Sequence, residues 1–173
     1  MKVSIHSLAV EQVSHTLNQV LVFLDKAVAY AEAKKFDVSV LINARLAPDM
    51  LPFVVQVRIT CDHAKSAAQA LSGKELPKHE DNEATFEDLH GRIAKCLAVL
   101  DGLTAADFAA TKPDAIVKMP NRPGKGMRAD EYLWRRQIPN FYFHLTTAYD
   151  LLRAGGVEIG KSDYLGPLDV KDI

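Results

Sequence analysis

Residues 133–152 read LWRRQIPNFYFHLTTAYDLL. The apolar side chains of this stretch recur at alternating steps of four and three residues, the heptad-like spacing of a helix that buries one face. The spacing predicts a long amphipathic helix over residues 129–154. Pro139 is expected to kink or restart that helix, because proline removes a backbone hydrogen bond. The predicted apolar face consists of Trp134, Ile138, Phe141, Leu145, Ala148 and Leu152.

Three earlier segments show the same helical periodicity, each with one apolar stripe. A helix start is marked by Thr85 followed by Asp88, which resembles a capping pair, and glycines follow two of the stripes at the stop position. Four amphipathic segments with short connections predict an all-α protein, a four-helix bundle. The earlier segments are residues 8–35, a helix from about residues 48–52 to Gly73, and residues 85–102.

The connections between these helices carry weaker signals. Asp37 can cap a short turn after the first helix. Residues 74–83 are charged and polar and predict a loop. Residues 116–119 form a short β-like run before a Pro- and Gly-rich turn at 120–126, which predicts a two-stranded flap before the last helix. The tail, residues 157–173, is expected to lie across the helices.

The composition limits the classes of protein that are possible. The chain has 173 residues, of which 48% are hydrophobic, and its 21 basic and 22 acidic side chains give a formal net charge of −1. This length predicts a single domain over residues 1–173. The balanced charge argues against nucleic-acid binding, and without a long apolar run or a basic leader we predict no membrane span and a cytoplasmic location. Cys61 and Cys96 lie in apolar stripes and are predicted to be buried.

Uncharged polar residues border the apolar face on two of the helices. On the second helix they include Gln56 and His63, and on the last helix Gln137, Asn140 and His144. Groups of this kind orient ligands in cavities between helices. If the two borders face each other, these five residues converge and form a candidate ligand-binding site.

Three interpretations of this candidate site remain open. Its side chains can simply satisfy one another at the edge of the bundle. They can bind a small molecule, or His144 and His63 can hold a divalent metal such as zinc or nickel. The positions one turn from His144 are Asn140 and Ala148, neither of which is a good metal ligand.

Charged residues near the candidate site, and one histidine far from it, are predicted to face solvent. Asp62 and Lys65 flank His63 but point away from the apolar stripe of the second helix. His15 falls nearly opposite the stripe of the first helix. All three are therefore expected to be solvated.

The chain resembles an uncharacterised bacterial family grouped with the DinB/YfiT-like metalloenzymes. The resemblance is carried by Pro139-Asn140-Phe141-Tyr142-Phe143-His144, by Gly156-Val157, Gly160-Lys161 and Tyr164-Leu165-Gly166, and by Ala44-Arg45-Leu46-Ala47-Pro48-Asp49-Met50.

This resemblance implies an up-down-down-up, DinB-like four-helix bundle that often forms a homodimer. Better-studied relatives hold a divalent metal with three histidines, and some transfer small thiols. His144 matches one of those ligands and His63 is a candidate for a second. The sequence therefore predicts a small-molecule-binding bundle protein; the alternatives are a metal-dependent enzyme of the thiol-transferase type and a purely dimeric interaction protein.

Overall fold

The computed structural model describes residues 3–119 and 122–172, which are mostly helical with one small two-stranded sheet. Four of the described helices are long, and short elements connect them. In chain order the elements are a π-helical turn (Ser7–Glu11), α1 (Gln12–Lys34), α2 (Ser39–Ile42), α3 (Phe53–Ser72), α4 (Phe86–Asp101), a 3-10 turn (Ala105–Phe108), β1 (Ile116–Lys118), β2 (Gly126–Arg128), α5 (Ala129–Glu131), a second π-helical segment (Tyr132–Gln137), α6 (Ile138–Ala154) and α7 (Lys161–Leu165).

Local side-chain chemistry explains where several helices begin and end. The Thr85 hydroxyl accepts from the Asp88 backbone N–H at 3.1 Å, and the Asp88 carboxylate accepts from the Thr85 N–H at 2.9 Å, which is the predicted capping pair of α4. Asp37 accepts from the backbone N–H of Ser39 at the start of α2. At the end of α3, Gly73 has a φ of 70°, a left-handed conformation that glycine adopts without strain.

The long helices pack around a shared core. The helix α3 packs against α6 and α4, and α1 packs against the same two helices. Buried apolar side chains from all four long helices form one continuous cluster. Both cysteines are buried as predicted, and the Cys96 thiol lies 3.6 Å from the Cys61 carbonyl oxygen across the α3–α4 contact.

The predicted flap is present as an antiparallel hairpin. Ile116 is opposite Arg128, and Lys118 is opposite Gly126. Part of the predicted turn, at Pro120 and Asn121, lies outside the described residues. The hairpin leads directly into α5, so it sits beside the chain that enters the last long helix.

The π-helical segment corrects the predicted apolar face of the last helix. Trp134 was expected in the core but is 54% exposed, whereas Leu133 and Gln137 are buried. A π-helix bonds residue i to i+5, so one turn holds an extra residue and the faces rotate. The segment ends at Gln137, directly before Ile138 and Pro139 resume α-helical geometry, and beyond it Phe141, Leu145, Ala148 and Leu152 are buried as predicted.

The tail packs on α1, and this corrects the prediction for His15. The side chain of His15 is half-buried, and its Nε2 lies 2.8 Å from the Leu165 carbonyl oxygen, to which it donates. Lys26 and Asp163 form an ion pair at 2.8 Å on the same side. The prediction that His15 is solvated is wrong because the tail folds over the polar face of α1, and the periodicity of that helix does not reveal this contact.

Within residues 3–119 and 122–172, no helix is both long and apolar enough to cross a membrane.

Candidate functional site

The candidate site lies where α3 packs against the chain from Tyr132 to Ala154. Gln56 and His63 lie two turns apart on α3, and His144 lies on α6. Gln137 is the last residue of the π-helical segment and is buried because that segment turns it inward. The close α3–α6 packing therefore brings two predicted polar borders together.

Two histidine–glutamine pairs cross this helix contact. The Nδ1 atom of His63 lies 2.6 Å from Oε1 of Gln137, and the Nδ1 atom of His144 lies 2.7 Å from Oε1 of Gln56. An amide oxygen only accepts hydrogen bonds, so each imidazole donates from Nδ1. Both Nε2 atoms then carry a free lone pair in the neutral ring.

The two imidazole rings also stack on each other. Their centroids are 5.9 Å apart and their planes differ by 13°. Gln56 is itself held in place, because its Nε2 donates to the Leu51 carbonyl oxygen at 3.0 Å. The pairs therefore fix the orientation of both rings rather than leaving them to rotate.

Burial keeps both rings neutral near pH 7. Burial, with a smaller contribution from His63, lowers the pKa of His144 from its ordinary 6.5 to about 4. The pKa of His63 is also lowered, chiefly by burial and further by the Arg136 charge, against the hydrogen bond with Gln137. A neutral imidazole is the form that can accept a proton or a hydrogen bond at Nε2.

Asn140 differs from the other four predicted site residues. Its side-chain amide donates to the Arg136 carbonyl oxygen at 2.6 Å, one turn back on its own helix. This bond uses Asn140 to satisfy the helix beside the proline, where backbone groups lose partners. The hydrogen bonds of the described residues link Gln56, His63, Gln137 and His144 in two pairs and do not include Asn140 in them.

A groove of about 560 Å³ opens beside His63. Its charged walls are formed by Lys65, Lys78 and Arg136, with Asp62 as the carboxylate that lines it. The loop after α3 forms one side, and the Lys65 ammonium donates to the carbonyl oxygen of Pro77 in that loop at 3.4 Å. The groove is polar, and more of its lining charges are positive than negative.

A buried charge network behind this groove was not predicted. The Arg92 side chain is 1% exposed and contacts carboxylate oxygens of Asp62, Asp81 and Glu83 at 2.7–2.9 Å. Glu83 also accepts from Arg58 at 2.6 Å. The prediction that Asp62 and Lys65 form a solvated face was therefore wrong: Asp62 is half-buried in an ion pair with Arg92, and Lys65 is buried. The loop contacts responsible are not visible in helical periodicity.

The candidate site offers two of the ligands that the metal implied by the resemblance would need. His63 and His144 are suitable nitrogen ligands, and ring nitrogens held through the opposite N–H are typical of metal sites. Within the described residues, however, no group of three or more His, Cys, Asp or Glu side chains is close enough to hold an ion. The residues therefore fall one ligand short of the three-residue site that zinc enzymes use.

Comparison with known proteins places the chain in a family. The model of a domain of unknown function, DUF1993, matches residues 5–165. No curated protein matches the chain. Among solved structures, a crystal structure of a DinB family member protein from Shewanella denitrificans is 43% identical, with 97% of this chain and 95% of that chain covered and a TM-score of 0.92. The predicted resemblance is thereby confirmed: the chain belongs to the DUF1993 family and is similar to a DinB family member.

Proposed function

We propose that the protein binds a small molecule between α3 and α6, at the stacked pair of His63 and His144. The observation that carries this proposal is the pair of Nδ1–H to glutamine hydrogen bonds, which leaves two neighbouring Nε2 lone pairs in a fixed orientation. An oriented acceptor of this kind suits a ligand that donates from a hydroxyl, thiol or amine.

The groove beside His63 supports the same proposal. Its volume of about 560 Å³ lies within the range of small-molecule sites, roughly 300–1,000 Å³. Arg136 and Lys78 on its walls favour a ligand that also carries negative charge. Binding then places the donor of the ligand at the imidazole Nε2 and its acidic group toward Arg136.

The fold that would support this site is an up-down-down-up four-helix bundle in a single domain over residues 1–173. Its support is the packing of both α4 and α6 against both α1 and α3, with one core shared by the four helices. In this arrangement α3 and α6 are neighbours, so the site lies within their interface.

The alternative function is that of a metal-dependent enzyme of the thiol-transferase type. His63 and His144 would supply two nitrogen ligands for zinc or nickel. The described residues provide no third protein ligand from His, Cys, Asp or Glu, so this alternative has less support than the small-molecule site. Elemental analysis of the purified protein separates the two: stoichiometric zinc or nickel that is lost in His144→Gln favours the enzyme.

A homodimer and a cytoplasmic location complete the proposal. Trp134 and Phe143 are 54% and 58% exposed near the start of the last helix, and aromatic side chains are enriched in protein interfaces. Light scattering of the wild type and of Trp134→Ala tests the dimer. A monomeric mass for the wild type contradicts it.

The site is tested by titrating the ¹⁵N-labelled protein with zinc, nickel and a panel of small thiols. The NMR signals of the imidazole nitrogens report binding. We expect one of these compounds to shift the Nε2 signals of both His63 and His144, and His144→Gln to abolish the response while the fold is kept. The matched control is His90→Gln, because His90 pairs with Asp25 elsewhere on the molecule. Equal responses of wild type and His144→Gln to every compound would leave the histidine pair as a structural element.

A further inference from the structure

The Lys65 ammonium, on the wall of the groove beside His63, has weak protein partners for a buried charge. Its side chain is 10% exposed. Within the described residues it reaches the carbonyl oxygen of Pro77 at 3.4 Å and a carboxylate oxygen of Asp62 at 3.8 Å. That carboxylate oxygen already accepts from Arg92 at 2.7 Å. An ammonium has three donors and forms its good hydrogen bonds at about 2.7–3.2 Å, so Lys65 can still bind a stronger acceptor.

The loop after α3 brings two more basic side chains to the same groove. Lys78 and His79 both line it together with Lys65. Lys78 is exposed and His79 is half-buried. The Nδ1 atom of His79 is buried and has no hydrogen-bond partner within the described residues. The groove therefore has two ammonium groups in its lining, and an imidazole whose Nδ1 is not paired with a protein group.

The charges that act on His79 show that the electrostatics on this side of the groove favour an anion. Burial lowers the pKa of His79. The positive charges of Lys65, Arg92 and Lys95 lower this pKa further. The negative charge that counteracts them is that of Asp62. An anion bound beside His79 would offset the three cations and stabilise the protonated ring.

The charge balance and the size of the groove indicate the kind of anion. Three cations line it, Lys65, Lys78 and Arg136. The carboxylate among the lining residues is that of Asp62, which is paired with Arg92. A phosphate monoester carries a charge of about −1.5 to −2 near pH 7 and offers three acceptor oxygens, more than a carboxylate does. A volume of about 560 Å³ leaves room for an organic group beside the phosphate.

We propose that this groove binds a phosphate monoester, whose phosphate accepts hydrogen bonds from the ammonium groups of Lys65 and Lys78 beside His79. Arg136 adds positive charge from the π-helical segment. The organic part of the ester extends along α3 toward His63, which lines the same groove. The inference rests on the proposed function, since it names the class of small molecule that the groove binds. The residues that hold the phosphate are, however, separate from the histidine pair.

The test uses NMR titration of the ¹⁵N-labelled protein with inorganic phosphate, phenyl phosphate, acetate and chloride at matched ionic strength. We expect both phosphates to give saturable shifts of the His79 ring signals and to raise the pKa of His79 by about one unit. The ring signals of His90, which pairs with Asp25, should not move. The absence of a saturable response to either phosphate overturns the site. Acetate that binds as tightly as the phosphates overturns the assignment to phosphate, and binding of inorganic phosphate alone overturns the assignment to an ester.

Variants assign the binding to the two lysines. Lys65→Met removes the ammonium and should weaken phosphate binding by about tenfold or more, the loss of a hydrogen bond between charged groups. Its melting temperature should stay the same or rise, because the lost charge is buried with weak partners. Lys78→Met, at an exposed position, should weaken binding while the fold is kept. The matched control is Lys26→Met, whose ammonium pairs with Asp163 beside the tail; it should retain phosphate binding. Equal binding by wild type, Lys65→Met and Lys78→Met contradicts the proposal.

The outcomes distinguish a failure of this inference from a failure of the proposed function. His144→Gln leaves Lys65 and Lys78 in place, so inorganic phosphate should still bind to that variant. If both phosphates bind but no compound shifts the His63 and His144 signals, the phosphate site is retained and the function of the histidine pair is lost. If thiols or metals shift those signals but neither phosphate binds, the proposed function is retained and the phosphate site is overturned.

Discussion

The histidine pair and the Arg92 network bury polar groups on opposite borders of α3 by opposite means. At the pair, neutral imidazoles donate to neutral amides and retain an unused lone pair on each ring. In the network, Arg92 is surrounded by three carboxylates and the Glu80 carbonyl oxygen, and its buried charge is balanced several times over. The first arrangement leaves one hydrogen-bond acceptor, Nε2, on each imidazole ring. The second uses its ion pairs to hold the loop after α3 in place.

The response to acid should separate these two regions. Although burial raises it, the pKa of Glu83 is held below its ordinary value by hydrogen bonds from Arg92 and Arg58. Its carboxylate therefore remains ionised between pH 6.5 and 4.5, where protonation of His144 in the unfolded chain already lowers the stability of the fold. The histidine pair and the Arg92 network are therefore expected to lose stability in different ranges of pH.

The largest expected effect comes from removal of the Arg92 charge. Arg92→Met leaves Glu83 and Asp62 without their buried partner, and breaking a buried ion pair from one side costs about 3–5 kcal/mol. Urea unfolding followed by circular dichroism measures the loss. The matched control is Arg128→Met, which removes an exposed guanidinium paired with Asp130 and should leave the urea midpoint unchanged. Equal midpoints for the two variants would show that the network is not structural.

The next effect tests the scaffold beneath the histidine pair. Leu145→Ala removes a side chain that is 1% exposed and should destabilise the protein by about 2–5 kcal/mol through a cavity in the core. Leu168→Ala is the control, since Leu168 is 63% exposed and contributes no such burial. A melting temperature for Leu145→Ala that equals that of the control would show that the face of α6 is assigned incorrectly.

The pH dependence of stability isolates the pair itself. The folded pKa of His144 is about 4, below the unfolded value of 6.5, so the unfolded chain binds more protons between these values. The free energy of unfolding should therefore decrease as pH falls from 6.5 to 4, and His144→Gln should flatten this part of the profile. Loss of stability from the Glu83 carboxylate follows only below pH 4.5, as the pH falls through its lowered folded pKa.

Urea unfolding at several values of pH, with NMR titration of the His144 ring, measures this difference. Ligand binding that uses the Nε2 lone pair should persist down to about pH 4 rather than end near pH 6. A wild-type profile that is flat from pH 6.5 to 4, or a His144 pKa near 6.5 in the NMR titration, contradicts the neutral pair.

Periodicity predicted the helices well because each one buries a single stripe along its own length. It also placed Gln56 and His63 on one border of α3, and this border faces Gln137 and His144. It placed Trp134 wrongly because the π-helical segment rotates the apolar face of the last helix. No pattern in the sequence indicates the extra residue in that turn. The Arg92 network lay beyond sequence analysis for another reason: its partners come from a loop whose path depends on tertiary contacts.

The smallest effect concerns the tail, where the sequence also misled. His15→Ala removes the hydrogen bond from Nε2 to the Leu165 carbonyl oxygen, while the ion pair of Lys26 with Asp163 remains. A single hydrogen bond contributes about 0.5–1.5 kcal/mol, so global stability should change little. The local opening of α7 should become more frequent, which amide hydrogen exchange resolves, because segments with few buried contacts open independently of the core. Faster exchange confined to residues 161–166 supports a tail held locally by His15. Unchanged exchange in that segment would mean that the aromatic contacts of Tyr164 with Phe23 and Tyr149 are sufficient to hold it.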